Sequence, residues 1–130
     1  MTRLSSLALL VALSLAGGAS QAAIQAESGP NPEGVRCLSV DRIIGRRPVP
    51  PDHVRLEMAD GTIYLSTPPG RCPSLERAGR LDLILLELHG DQLCSGDQFR
   101  VVDPDEARAV GLRASPACRF GAFRAETARP

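Results

Sequence analysis

The sequence predicts a small, mainly β domain stapled by disulfides: a sheet or barrel of five to seven short strands, with one or two short helices. Three observations carry this. Short runs of alternating or β-branched residues are punctuated by Gly and Pro, which supply 12 and 11 of the 130 residues. That is the pattern of an all-β chain with tight turns. Four cysteines, an even number, follow an N-terminus of export type, which reads as two disulfides. The aromatic complement is only Tyr64, Phe99, Phe120 and Phe123. A core of that size gains from covalent support.

The first 22 residues read as a cleaved secretory signal. Arg3 supplies a positive start, Leu7–Leu15 is a nine-residue apolar run, and small residues lead to a cleavage site near Ala22. Nine apolar residues are too few to span a bilayer, and no other stretch is long enough. Residues 23–34, polar with two prolines, read as a flexible arm. The domain is expected over 35–124, with 125–130 as a loose tail. Without Arg3 the chain carries 14 arginines, no lysine and 15 acids. A balance so near neutral gives no general pull toward nucleic acid or an anionic membrane.

Within the domain, Val35–Val40 is strand-like and Arg42–Ile44 continues it past a bend. Gly45–Asp52 reads as a connection, because Pro48, Pro50 and Pro51 cannot donate to a ladder. In that loop the basic pair Arg46-Arg47 is expected to be solvated, although it could hold an anion. Val54–Met58 and Thr62–Ser66 flank Asp60-Gly61, a hairpin signal. With a two-residue turn, Met58 faces Ile63, Leu56 faces Leu65 and Glu57 faces Tyr64. Val54, Leu56, Met58, Ile63 and Leu65 then share the buried face, and Tyr64 lies on the polar one.

Ser74–Ala78 forms a short helical turn. Leu81–Leu88 fits either a helical stripe or a strand with Leu81, Leu83 and Leu85 on one side; its length and the flanking Gly79 and Gly90 favour a strand. The centre of the domain is the segment from Leu93 to Val102. Ser95, Gly96 and Asp97 make a turn, and Gln98–Val101 alternates with Phe99 and Val101 facing inward. Asp103, Pro104, Glu106 and Gly111 mark a short helix by its cap, its first residue, its third and its stop. Cys118–Phe123 reads as a last strand with a bulge at Gly121.

Cys37, Cys72, Cys94 and Cys118 are separated by 34, 21 and 23 residues. Zinc sites and thioredoxin-like redox sites use close pairs such as C-x-x-C, so disulfides are the stronger reading. No metal site and no cofactor are expected. If first and last strands meet in a closed sheet, the bridges are Cys37–Cys118 and Cys72–Cys94; an open sheet suits Cys37–Cys72 with Cys94–Cys118.

No nucleophile stands beside a marked base. Asp91 and Asp97, with His89 near them, are the least implausible catalytic carboxylates, but each has a simpler role in a turn. The acids of Asp103–Glu106 lack the spacing of a calcium loop and suit capping.

Taken together, Cys37, Tyr64, the run Arg71-Cys72-Pro73, the turn Leu93-Cys94-Ser95-Gly96-Asp97 and the final Cys118-Arg119-Phe120-Gly121-Ala122-Phe123 resemble a family of exported four-cysteine bacterial proteins of unknown function. The resemblance covers roughly Val35 to Phe123. It implies export and a four-cysteine domain, and no mechanism. The expected function is a non-enzymatic binding or accessory module of the envelope, acting on another envelope protein or a small ligand, in the periplasm or secreted. The alternative is a small periplasmic enzyme using carboxylates.

Overall fold

The computed structural model describes residues 33–113 and 115–126. The expected signal, most of the arm and residues 127–130 lie outside the described residues. The fold is mainly β, with nine strands and two short helices among the described residues.

Strand β1 (Cys37–Ser39) passes through a single 3-10 turn at Val40–Arg42 into β2 (Ile43–Val49), β3 (His53–Met58) and β4 (Ile63–Ser66). Helix α1 (Pro73–Glu76), β5 (Leu83–Glu87), β6 (Gln92–Cys94) and β7 (Gln98–Val102) follow. Helix α2 (Pro104–Val110), β8 (Cys118–Arg119) and β9 (Phe123–Ala125) complete the domain. Four strands form one sheet in the order β2-β3-β4-β9, three form a second in the order β5-β7-β8, and β1 pairs with β6.

The strand count exceeds the five to seven expected because the first and last runs each divide in two and Gln92–Cys94 adds β6; the expected connection after Ile44 only lengthens β2. Gly45–Val49 pairs along β3, so only Pro50-Pro51-Asp52 turns. Pro48 is tolerated because β2 is an edge strand, where a missing N–H leaves no ladder bond unmade. The last run splits at Phe120–Ala122, with β8 in the three-stranded sheet and β9 in the four-stranded one. Strand β9 reaches Ala125, and the Glu126 N–H donates to the Ile63 carbonyl at 2.7 Å. The ordered pairing thus takes in the first residues of the stretch read as tail.

The hairpin between β3 and β4 forms where expected but one residue out of register. Three residues, Ala59 to Gly61, form the loop: Met58 N–H donates to Thr62 O and Gly61 N–H to Met58 O, both at 2.9 Å. Gly61 takes φ +85°, and no described residue other than glycine has positive φ. Asp60 therefore does not adopt the left-handed conformation that a two-residue Asp-Gly turn requires. Its carboxylate instead accepts the Thr62 N–H at 2.9 Å. Leu56 now faces Tyr64 and Val54 faces Ser66, while Glu57 faces Ile63 and Arg55 faces Leu65. The period of two sends all of β4 to the opposite face. Tyr64 packs against the core and Ser66 is buried.

Leu83–Glu87 is a strand, as its length and flanks suggested, but its inward phase is Ile84 and Leu86. Leu81 is 82% exposed and Leu83 57%. The core joins the two larger sheets through Val54, Leu56, Ile84, Phe99 and Val101 with three phenylalanines in series. Ring centroids lie 4.5 Å apart for Phe99–Phe120 and 5.5 Å for Phe120–Phe123. Where the chain crosses between sheets, Ser66 Oγ donates to Gly121 O at 3.0 Å, and a Cβ on Gly121 would run into the Thr67 carbonyl.

The four cysteines form two disulfides, Cys37–Cys94 and Cys72–Cys118. Neither of the two pairings weighed from the sequence is formed. With Cys37–Cys118, the first strand would lie beside the last. It pairs with β6 instead, where Cys37 sits directly opposite Cys94 with Cα atoms 4.0 Å apart. Cys118 on β8 meets Cys72 at the start of α1, with Cα atoms 5.8 Å apart. The barrel is also not closed. At the seam between β2 and β5 a side chain replaces the ladder, Arg46 Nε donating to the Ile84 carbonyl at 2.7 Å.

Candidate functional site

Asp97 is a turn residue. Gly96 takes φ +97°, the Asp97 N–H donates to Cys94 O at 3.0 Å, and its carboxylate accepts the Cys94 N–H at 2.7 Å. The Asp91 carbonyl accepts from Val40 N–H, joining the loop before β6 to the end of β1. His89, Asp91 and Asp97 line none of the three clefts described below. Asp103 caps α2 by accepting from the Asp105 and Glu106 N–H groups. Among the described residues no group of three His, Cys, Asp or Glu could hold a metal ion.

The basic pair lies on β2 instead of in a loop, and its two side chains diverge. Arg46 reaches the Ile84 carbonyl. Arg47 falls on the other face, directly opposite Arg55 of β3. Arg55 is opposite Leu65, and Leu65 is opposite Arg124 of β9. The outer face of the four-stranded sheet thus carries Arg47, Arg55, Leu65 and Arg124 in one row across four strands. Like charges directly opposite one another cost stability, so the Arg47–Arg55 pair is a local conflict the fold tolerates.

Arg55 is drawn to Glu57 at 3.7 Å and Glu126 at 3.8 Å, which are ion pairs beyond hydrogen-bond length. The side chains of Arg47 and Arg124 are exposed and make no hydrogen bond or ion pair among the described residues. A cleft of about 550 Å³ opens on this face, lined by His53, Leu65, Thr67, Ala122, Arg124, Ala125 and Glu126. At one end of it His53 Nδ1 is 2.6 Å from Asp52 Oδ1. Planar guanidinium groups favour oxyanions, carboxylate and phosphate above all, because two parallel N–H bonds can form at once.

The other clefts offer less. One of about 340 Å³ lies between Pro51-Asp52 and the 67–76 segment, but its cation is already engaged. Arg71 donates through Nε and Nη2 to Glu76 at 3.2 and 3.1 Å, which holds the Glu76 carboxyl below its ordinary range. One of about 230 Å³ is bordered by Asp82, Asp103 and Glu106, two of which already accept backbone N–H groups. The alternation of Val54, Leu56 and Met58 in the sequence already turns Arg55 outward but does not join it to Arg47 or Arg124. The signal that could have joined them is the outward phase of β2, β3 and β9, which becomes readable only once the register is known.

The chain matches no known protein family, no curated protein and no solved structure. Its function is therefore argued from its own residues. No helix among the described residues is long and apolar enough to cross a membrane. The two disulfides are consistent with an oxidising compartment.

Proposed function

We propose that this chain is an exported, disulfide-stapled binding or accessory module of the bacterial envelope, akin to the four-cysteine family it resembles. Its contact surface is the outer face of the four-stranded sheet. The observation that supports this is the row of arginines, two of them exposed and without an ion-pair partner among the described residues. Asp97, which a carboxylate enzyme would need free, is committed to the Cys94 N–H.

The test is capture of a partner from envelope extract by the protein carrying its own N-terminus, compared with Arg47→Glu/Arg124→Glu. Capture that the charge reversal abolishes, from protein recovered in the envelope with residues up to about Ala22 removed, supports the reading. Equal capture by both proteins would move the contact elsewhere. Full-length protein confined to the cytoplasm would overturn the export half.

A further inference from the structure

We propose that the row Arg47–Arg55–Leu65–Arg124 recognises an extended acidic peptide segment with an apolar residue between two carboxylates, in the pattern acid-x-apolar-x-acid. The proposal deepens the binding-module reading and rests on it.

The spacing is the first argument. Neighbouring strands lie about 4.8 Å apart, so the row from Arg47 to Arg124 spans about 14 Å. In an extended peptide, residues i, i+2 and i+4 project to one side over about 13 Å. A carboxylate at i falls between Arg47 and Arg55, and one at i+4 reaches Arg124. The residue between them lands on Leu65, which is partly exposed in the row and lines the cleft.

The charge is the second. Arg55 holds its two acids at 3.7 and 3.8 Å, too far to saturate its N–H donors. A carboxylate placed between Arg47 and Arg55 removes their mutual repulsion, which gives the face a reason to bind an anion. Glu57 and Glu126 border the row, and the chain as a whole is neutral with 15 basic and 15 acidic residues. A densely charged polymer such as a nucleic acid or polyphosphate would meet those carboxylates as well as the arginines. Two isolated acids at fixed spacing can sit at the Arg47 and Arg124 ends of the row; only Arg55 between them has acids within ion-pair distance.

The experiment measures fluorescence anisotropy of labelled Ser-Glu-Ser-Leu-Ser-Glu-Ser on the full chain. Controls are the same peptide with Lys for Glu, the same peptide with Ser for Leu, a single-stranded oligonucleotide and polyphosphate. Binding should weaken as salt is raised. Arg47→Gln and Arg124→Gln should each weaken it about tenfold, as expected for loss of a charge-assisted contact. Arg80→Gln, an equal charge change at another exposed site, should leave it unchanged. Replacing the peptide's Leu by Ser should weaken binding while leaving the arginine dependence.

Undetectable binding of the acidic peptide, or equal binding by the oligonucleotide or polyphosphate with the same arginine dependence, would overturn the proposal. If envelope capture still depended on Arg47 and Arg124 after such a result, the binding-module reading would stand and only the acidic peptide would fall. Thermal melts of each variant show that it is folded; Arg124→Gln and Arg80→Gln should match the parent, and Arg47→Gln should melt no lower, since it relieves the repulsion with Arg55.

Discussion

Gly61 and Gly121 are both required, for different physical reasons, and only one of them can be read in the sequence. Gly61 takes φ +85° with nothing within 4 Å of its missing side chain. Its role is purely conformational, and the preceding aspartate announces it. Gly121 has no such announcement; what forbids a side chain there is the Thr67 carbonyl, brought in by the tertiary fold. Gly61→Val should therefore lower stability by about 1 kcal/mol or more, seen as a lower urea midpoint, because a β-branched residue resists positive φ. An unchanged midpoint would contradict this loop. A second residue-scale prediction concerns Glu87. Its carboxyl is held below the ordinary 4.5 chiefly by the hydrogen bond from Arg100 Nε at 2.7 Å, with the Arg100 charge adding to it. A carboxylate whose pKa is depressed on folding stabilises the fold above its unfolded pKa, and the effect is lost as pH falls through the folded value. Glu87→Gln should be less stable than the parent at neutral pH. The gap in midpoint should narrow as the pH drops below about 4.5, and a constant gap would refute the linkage.

Among the elements, α2 shows local signals deciding local structure. The Asp103 cap, Pro104 and Gly111 all stand where the sequence placed them, since each acts within a turn of its own position. None of the residues of α2 is buried, so its order leans on that cap more than on packing. Asp103→Ala should cost about 1 kcal/mol locally. Amide exchange should quicken across 105–110 with much less change in the core strands, and equal quickening throughout would show that α2 is coupled to the global unfolding unit. The β3–β4 hairpin marks the limit of such reasoning. Asp60-Gly61 located the turn, but whether two or three residues form it depends on the conformation of Asp60. The alternation of β3 was legible because Val54, Leu56 and Met58 are apolar and buried. In β4 the apolar Ile63 and Leu65 suggested the wrong face. Tyr64 and Ser66 take the inner one, where the Ser66 hydroxyl has the Gly121 carbonyl to bond. The row of arginines inherits the same limit, because its existence depends on register.

For the whole molecule, the sequence conveyed class and chemistry better than connectivity. Strand-forming runs and an even cysteine count are local or compositional facts. Which strands become neighbours is not, and the pairing inferred from an assumed closed sheet was wrong because β1 lies against β6. Non-reducing digestion with mass spectrometry should yield peptides joining Cys37 to Cys94 and Cys72 to Cys118. Any other linked pair would refute the topology. The bridges close loops of 57 and 46 residues. Chain-entropy estimates give about 4 kcal/mol for each. In sequence order the first cysteine joins the third and the second joins the fourth, so each loop encloses one foot of the other. A single peptide-bond break anywhere between Cys37 and Cys118 leaves the fragments tethered, and a break between Cys72 and Cys94 is spanned by both bridges. That doubly spanned interval contains β5 and the exposed leucines Leu81, Leu83 and Leu88. A protease that clipped there would produce a second chain end and no second molecule. The severed strand would stay held at its place in the sheet until a reductant set it free.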